Sequence, residues 1–454
     1  MFEGLDKAVE EIGKAESVRL VSHLDADGIS AAAIALSSLT RAGKHVHLSI
    51  RRQLTPEVVE KLKEEETDIF LFTDLGSGYI ELLEDLQKET GSMIIVCDHH
   101  IPSKENPPEI IHINPVLENR SEDEISGAGV AYLLAEKLDP RNKDLIFLAI
   151  VGAIGDIQDE NWKMKGLNKE IVEKAVKAGY IKKEKGIRLF GRMNRPVHKA
   201  LEYSTNPFIP GVSGDESAAI QFLSSLGIEL KNEEGWKTLN DLSEEETKKL
   251  ASAIICERIR EKETSPAEIF GEIYSIDING DSLDAREMAT SLNACGRMEQ
   301  SSTGILSILG ARSFEDVNCI VSGYRRMITK YIKWIKKNNP QETDHAFYIN
   351  AGDQIHENFI GTITTICEKS SILDGNKVIF GLANTEDGKV KVSARSPDEV
   401  VEKGLSLKEM MDTLTKKYDS QGGGHAAAAG AFIPRGKEKE FISACEKYLE
   451  DKLK

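Results

Sequence analysis

Four short segments of this chain set acids and imidazoles at the point where an apolar run stops. His23-Leu24-Asp25-Ala26-Asp27-Gly28 follows residues 18–22, and Thr73-Asp74-Leu75-Gly76 closes the run 68–73. Asp98-His99-His100 follows 93–97, and Gly155-Asp156-Ile157-Gln158-Asp159 follows 145–154. Carboxylate oxygens and imidazole nitrogens in that mixture suit Mn²⁺ or Mg²⁺ better than a structural zinc. If the chain leaves its first strand extended, His23, Asp25 and Asp27 alternate onto one side, and Gly28 permits a tight turn into the helix behind them. Each segment also has a plainer reading. Asp25 or Asp74 can serve only as a helix N-cap, and Asp159 as a solvated surface acid. Adjacent histidines beside a carboxylate are less easily explained by solvation and favour a metal or phosphate role. Pooled, the segments supply at least four carboxylates and two histidines, which in one cleft would repel one another. Two divalent cations bridged by a shared aspartate relieve that repulsion. Metals about 3.5–4 Å apart also suit in-line attack on phosphorus.

The elements that must position these groups follow from the hydrophobic pattern. Runs at 18–22, 45–50, 68–73 and 93–97 read as strands, the last two nearly continuous in apolar residues, as in strands buried on both faces. The Ala-rich segment 28–41 and the charged segment 56–65 read as helices between them. This rhythm predicts an α/β fold built on a doubly wound parallel sheet, whose ligand sites lie beyond the carboxyl ends of its strands. The acidic segments fall at those ends.

Beyond about residue 200 the rhythm breaks. Residues 201–280 carry Pro207, Pro210, Gly211, Gly214 and acidic helical stretches such as 241–246, and read as an inserted, mainly helical or mixed module. Residues 325–337 then form a basic helix ending at Asn338-Asn339-Pro340, with Arg326, Lys330, Lys333 and Lys337 on one face. Ile328, Tyr331, Ile332 and Ile335 make an apolar stripe on the same helix. Tyr331 and Trp334 therefore either stack on the bases of a single strand or lie buried beneath a solvated face. From His345 a smaller α/β unit begins, with strands expected at 346–349, 377–382 and 389–394. The expected divisions are 1–200, 201–280, 281–343 and 344–454.

The bulk properties narrow the classes. At 454 residues, 40% hydrophobic and 29% charged, the chain reads as a soluble globular protein of two or three domains. No apolar run approaches the roughly 18 residues that span a bilayer, and the N-terminal residues have neither the basic nor the apolar part of a secretory signal. Cys97, Cys256, Cys295, Cys319, Cys367 and Cys445 are scattered without a CxxC pair, which points to reduced thiols in a cytoplasm. A net charge of −17 counts against a duplex-coating protein. A narrow cationic channel in an enzyme remains compatible with it.

The C-terminal part carries further candidates. In Gln421-Gly422-Gly423-Gly424-His425-Ala426-Ala427-Ala428-Ala429-Gly430 the glycines would let backbone N–H groups approach an anion that His425 contacts. Arg395 lies in Val392-Ser393-Ala394-Arg395-Ser396, and Arg297 in Leu292-Asn293-Ala294-Cys295-Gly296-Arg297-Met298, where an arginine held by a glycine turn could grip a phosphate. His356 opens HENFIGTITTIC. No GxxxxGK[ST] loop occurs, which argues against an ATPase.

As an ordered set, HxDxDG, TDxG, DHH and GD resemble the DHH superfamily of phosphoesterases, and QGGGHAAAAG resembles the signature of its DHHA1 substrate-binding domain. The resemblance implies metal ligands at His23, Asp25, Asp27, Asp74, His99 and Asp156. It implies two Mn²⁺ ions, with Mg²⁺ or Co²⁺ as substitutes, bridged by Asp74. It gives catalytic roles to Asp27, Asp74 and His99, brings His100 to the scissile phosphate, and makes Arg395 a phosphate grip. Within the superfamily, LNACGRM and HENFIGTITTIC are similar to RecJ stretches, with Cys295 in place of an alanine and Glu357 and Thr362 as looser matches. Asn114-Pro115 and Gly127-Ala128-Gly129 also match. Bacterial RecJ proteins usually carry Asp where this chain has His23, which points to the archaeal branch. Substrate contacts are thereby expected from Asn293, Arg297, His356, Arg395, Gly422, Gly423, Gly424 and His425. The implied activity is an exonuclease on single-stranded DNA, RNA or both, releasing mononucleotides in replication or repair, with a lean towards 3′→5′. The module at 201–280 resembles the insertion of archaeal relatives of the GINS-associated nuclease, so GINS or another replisome protein is its expected partner. A small-substrate phosphodiesterase and a non-catalytic replisome scaffold are the alternatives.

Overall fold

The structure, a computed structural model, describes residues 2–453 apart from 205, 234, 263–264, 279, 370–371, 374–375, 419 and 421, so Gln421 of the glycine-rich motif lies outside the described residues. The chain divides into two compact units, residues 1–320 and 321–454.

The first unit begins with α1 (Leu5–Lys14), β1 (Ser17–His23), α2 (Ala26–Arg41), β2 (His45–Arg51), α3 (Pro56–Lys63), β3 (Ile69–Thr73), α4 (Ile80–Thr90), β4 (Met93–Cys97) and β5 (Ile110–Ile113). The five strands are parallel in the order β2-β1-β3-β4-β5. Every residue of β3 is buried, as expected of a strand covered on both faces. One face packs Phe70, Phe72, Ile94 and Val96 against Val59 and Leu62 of α3 and Leu83 and Leu86 of α4. The other carries α1, α2, α5 (Gly127–Leu138) and α6 (Ile146–Gly155). Ala31, Ala32 and Ala33 of α2 are fully buried, because side chains of one carbon let the neighbouring helices approach closely. Strand order reverses between β1 and β3. In an open α/β sheet that reversal opens a crevice at the carboxyl ends.

After α7 (Gly166–Lys177), β6 (Lys182–Ile187) launches the inserted module. The module holds α8 (Val197–Glu202), α9 (Glu216–Ser225), the short hairpin β7 (Lys231–Asn232) and β8 (Gly235–Trp236), and α10 (Glu244–Arg260). The chain returns along β9 (Phe270–Ile278), antiparallel to β6 from Ile187↔Phe270 to Lys182↔Ser275, and β10 (Asp281–Asp284) completes a three-stranded sheet. The module has its own core, including Leu189, Val197, Leu201, Ile209, Leu223, Leu250 and Ile254. Two helices follow, α11 (Ala285–Arg297) and α12 (Ser301–Ile308), and then α13 (Phe314–Asn338), within which the unit boundary falls.

In the second unit β11 (Gln341–Glu342), β12 (Ala346–Gly352), α14 (Glu357–Glu368), β13 (Val378–Asn384) and β14 (Lys389–Arg395) precede α15 (Asp398–Glu402), α16 (Leu407–Thr415), β15 (Gly423–Gly424), β16 (Ala428–Pro434) and α17 (Glu438–Lys452). The sheet order is β11-β12-β13-β14-β16-β15, with only β12 and β13 parallel. On α13 the structure decides between the two readings of Tyr331. Its ring is buried, edge-on to Phe359, so it is core and not a platform for bases. No helix among the described residues is long and apolar enough to cross a membrane.

Candidate metal centre

Asp25 reconciles its two readings by dividing its oxygens. One caps α2 by accepting the Gly28 N–H at 3.0 Å, and the other lies 2.9 Å from Nδ1 of His23. Because α2 begins at Ala26, Asp27 already sits in a helical turn. The expected extended alternation therefore holds for His23 and Asp25 but not for Asp27, which turns away to the N-terminus of α5. There its two oxygens accept the Gly127 and Ala128 N–H groups at 2.7 and 2.9 Å. Gly28 is needed for closeness and not for a turn. A Cβ there would stand 2.4 Å from the His23 carbonyl oxygen.

Asp74, at the end of β3, holds a left-handed φ of 52° and is 2% exposed. One of its oxygens faces His23 Nδ1 at 3.6 Å and the other faces His99 Nε2 at 3.5 Å. His99 Nε2 is also 3.5 Å from Asp156 and 3.9 Å from Asp27. The donors fall into three overlapping groups, His23–Asp25–Asp74, Asp27–His99–Asp156 and Asp74–Asp98–His99–His100, and Asp74 stands between the first two. Glycines make the room. A Cβ on Gly127 would meet Asp74 Oδ1 at 2.6 Å, and one on Gly152 would meet Asp27 Oδ1 at 2.3 Å.

The donors fit a divalent cation. Asp74 Oδ1 and His99 Nε2 are buried without a hydrogen-bond partner. His99 Nδ1 lies 2.8 Å from the Glu122 carbonyl oxygen, which only accepts, so Nδ1 carries the proton. Nε2 faces three carboxylates. Burial opposes charge on the ring, but their charges raise His99 well above its usual value. An Nε2 turned to carboxylates while Nδ1 is fixed on a backbone carbonyl is the usual arrangement around a ligated imidazole, and there the cation takes the place of the proton. Burial pushes the Asp27 carboxyl well above its usual range, and the charges of Asp74 and Asp156 push it further. Burial likewise lifts Asp156 to about 7 although His99 pulls it down. Asp156 also caps the C-terminus of α6, where the helix dipole disfavours an anion. A cation removes each of these penalties.

Three residues beside the clusters were not among the expected ligands. Asp98 is buried and accepts from Ser77 N at 2.9 Å and His99 N at 2.8 Å, while its Oδ1 lies 2.7 Å from His100 Nδ1. It orients His100, whose side chain is half-exposed. Burial disfavours charge on His100, but the hydrogen bond and charge of Asp98 outweigh it and raise that histidine to about 9. The two-residue spacing from Asp98 to His100 was the available signal. Gln158 donates to Asp156 at 2.8 Å and accepts from Asn168 at 2.6 Å, and only its place beside Asp156 marked it. Asp159 is buried and paired with Arg286, whose guanidinium stacks on Trp162 at 4.1 Å. It is not the solvated acid the sequence suggested, because its cationic partner comes from a remote helix.

Of the candidate substrate residues in the first unit, Asn293 accepts the Ala26 N–H at 3.0 Å and so braces the metal loop. Gly296 lies inside α11 and makes no turn for Arg297. Its missing side chain lets the helix touch that loop, since a Cβ would stand 1.7 Å from the Leu24 carbonyl oxygen. Arg297 ends the helix, half-buried. In the second unit His356 is exposed and caps α14, its Nδ1 accepting from Asn358 N at 3.2 Å. Arg395 Nε donates to Thr365 at 2.8 Å, and Arg395 pairs in register with Ala428. The Ala428 carbonyl accepts the His425 N–H at 2.8 Å, so His425 and Arg395 share one end of the sheet. Gly422 is required by the approach of α16, where a Cβ would be 2.7 Å from that of Met411. Gly424 is required by its φ of 126°. Gly423 faces open space.

Three domain families match in chain order. They are the DHH family N-terminal domain at residues 17–153, the DHH-CID domain at 189–269 and the DHHA1 domain at 351–451. An uncharacterized protein of Methanocaldococcus jannaschii is 31% identical, the match covering 100% of this chain and 98% of that one. The single-stranded-DNA-specific exonuclease RecJ of Thermus thermophilus is 31% identical over 42% of this chain, and the match spans 30% of its own length. A crystal structure of that organism's RecJ in complex with Mn²⁺ aligns with 99% of this chain and 55% of its own, with a TM-score of 0.59 at 19% identity. CDC45 from Entamoeba histolytica aligns over 98% of this chain and 97% of its own, with a TM-score of 0.64 at 12% identity. At those identities the two structures share the fold.

Proposed function

The chain belongs to the DHH family, and from that membership we propose that it is a metal-dependent exonuclease that hydrolyses single-stranded DNA, RNA or both to mononucleotides. The observation that carries this reading is Asp74, whose two oxygens face separate ligand clusters. His23, Asp25 and Asp74 would hold one divalent cation, and Asp74, Asp27, His99 and Asp156 a second, with Mn²⁺ favoured by the Mn²⁺-bound RecJ structure and Mg²⁺ or Co²⁺ as substitutes. Cations there would supply an activated water and neutralise charge at phosphorus.

The protein's own part is fixed geometry. The Gly127 and Ala128 amides hold both oxygens of Asp27, and the Glu122 carbonyl holds the tautomer of His99. His100 is tied by Nδ1 to Asp98, whose hydrogen bond and charge raise it to about 9 and favour the protonated ring. A protonated His100 would offer its Nε2–H to a phosphate oxygen as negative charge develops there. Arg326, Lys330, Lys333 and Lys337 on α13 are exposed, and no ion pair occupies them among the described residues. They suit a sequence-independent track for a phosphate backbone. Arg297 in the first unit, and His356, Arg395, His425 and the glycines 422–424 in the second, are the proposed substrate contacts. The proposed direction is 3′→5′. The module's exposed Tyr203, Phe208 and Trp236 favour a protein partner there, with GINS or another replisome component proposed in a replication or repair setting.

The deciding measurement is digestion of single-stranded DNA and RNA, labelled separately at each end, with Mn²⁺ or with EDTA, beside Asp74→Ala. Manganese-dependent release of mononucleotides from one end, absent in the variant, is the expected result and fixes polarity and sugar preference together. Turnover of dinucleotides alone would move the protein to the small-substrate phosphodiesterases. No turnover of either would favour the scaffold.

A further inference from the structure

Ile157 follows the candidate ligand Asp156 and is the most exposed of the large apolar side chains among the described residues, at 84%. It also holds a φ of 61°. A β-branched side chain in the left-handed region is a genuine outlier. The cause is local. Asp156 is the C-cap of α6, the Ile157 N–H donates to the Ile154 carbonyl at 3.1 Å, and the Gln158 N–H donates to the Ala153 carbonyl at 2.9 Å. Those two bonds form a Schellman motif, in which the position of Ile157 normally belongs to glycine or asparagine.

The loop cannot relax this strain, because Asp156 and Gln158 are bonded to each other and Gln158 is anchored to Asn168. Nor does packing offset it, since the side chain reaches solvent. Its neighbours define where it stands. Asp156, His23, Asp25 and His100 are the partly exposed members of the centre, with side chains 30%, 26%, 33% and 52% accessible, so it is at these residues that the centre opens to solvent. Helix stability alone would favour glycine here, and solvation alone a polar residue.

We propose that Ile157 is a substrate-contacting residue whose side chain packs against the nucleobase of the nucleotide being released. The inference rests on the nuclease reading. The contact is apolar and indifferent to base identity, as suits an exonuclease that advances along any sequence. It holds the terminal nucleotide while the metal centre acts on its phosphate.

The test compares Ile157→Gly and Ile157→Asn with the intact chain, by thermal melting and by Mn²⁺-dependent kinetics on a short single-stranded oligonucleotide. Both variants relieve the left-handed strain, so the melting temperature is expected to rise by about 1–3 °C. KM is expected to rise about 5–15-fold, the loss of one apolar contact, with kcat within about twofold. On an oligonucleotide whose terminal unit lacks a base, variants and wild type should share one KM. Greater stability with weaker binding is a pairing that a merely structural residue does not give. An unchanged KM, or an equal rise on the abasic substrate, would overturn the proposal and leave the nuclease intact. Wild-type protein that cleaves no oligonucleotide would remove the nuclease reading, and this contact with it.

Discussion

Asp74 shows how one residue is set against its own stability. It is 2% exposed, strained in φ, and has a carboxylate oxygen with no hydrogen-bond donor. Asp74→Asn removes one charge from a crowd of buried acids. In EDTA the variant is therefore expected to melt at or above the wild-type temperature. Mn²⁺ should raise the melting temperature of the wild type and not of the variant, whose hydrolysis should fall by about a thousandfold or more. Calorimetric scans with and without Mn²⁺ check this, and a variant still stabilised by Mn²⁺ would remove Asp74 from the ligand set. His112 gives a second residue-scale expectation. Buried between Ser77 at 2.9 Å and Asn106 at 3.2 Å, it is lowered by burial from 6.5 to about 4, although Asp98 opposes the shift. The unfolded chain then takes up this proton before the folded one does. Its contribution is complete above about pH 6.5 and is lost as pH falls towards 4, a loss of about 3 kcal/mol. Urea titrations of His112→Gln across that window should show a flatter acid limb than wild type.

At the scale of elements, helix ends do most of the positioning. The N-terminus of α5 fixes Asp27, the N-terminus of α2 fixes Asp25, and the C-terminus of α6 presents Asp156. An acid at the C-terminal end runs against the dipole, and that is the end where a cation is most stabilised. On α13, the cationic face can be separated from the apolar one. Substituting Lys330, Lys333 and Lys337 together with Gln leaves Tyr331 and Ile335 buried, so folding should be unaffected. If three phosphate contacts are lost, the slope of log binding constant against log salt should shrink by about 2 for a single strand. Binding of single-stranded DNA measured over a salt series decides it, and an unchanged slope would take this face out of the interface.

For the whole molecule, the antiparallel pair β6 and β9 carries an inserted module that has a core of its own. Ile187 and Phe270 are register partners, and the Arg188 N–H donates to the Ile269 carbonyl, the next pair in that register. Replacing residues 189–268 by an Asn-Gly turn, which joins Arg188 to Ile269, should close β6 and β9 into a hairpin. Mn²⁺-dependent hydrolysis should survive within about threefold, while the shortened chain should not capture the proposed replisome partner that the full chain binds. Collapse of hydrolysis would show that the module supports the centre, and the route is visible in Arg188, which reaches Asn161 and the Glu268 carbonyl.

The sequence by itself determined the parallel sheet and the set of chemical groups at its carboxyl edge. Apolar runs of strand length alternating with helical periods leave few ways to bury both faces, and chain connectivity then carries every strand-end acid to one side. Local hydrogen bonding was legible too, as in the capping oxygen of Asp25. Only the tertiary structure decided how the acids divide. Asp27 left His23 and Asp25 because α2 starts one residue before it, and the α5 amides that receive it lie a hundred residues on. Asp159 became a buried ion because Arg286 arrives from α11, and Gly296 proved a contact point and not a turn because Leu24 packs on it. Spacing along a chain reports which groups share an element. Which groups share a point in space depends on packing between elements distant in sequence, and no local pattern encodes that.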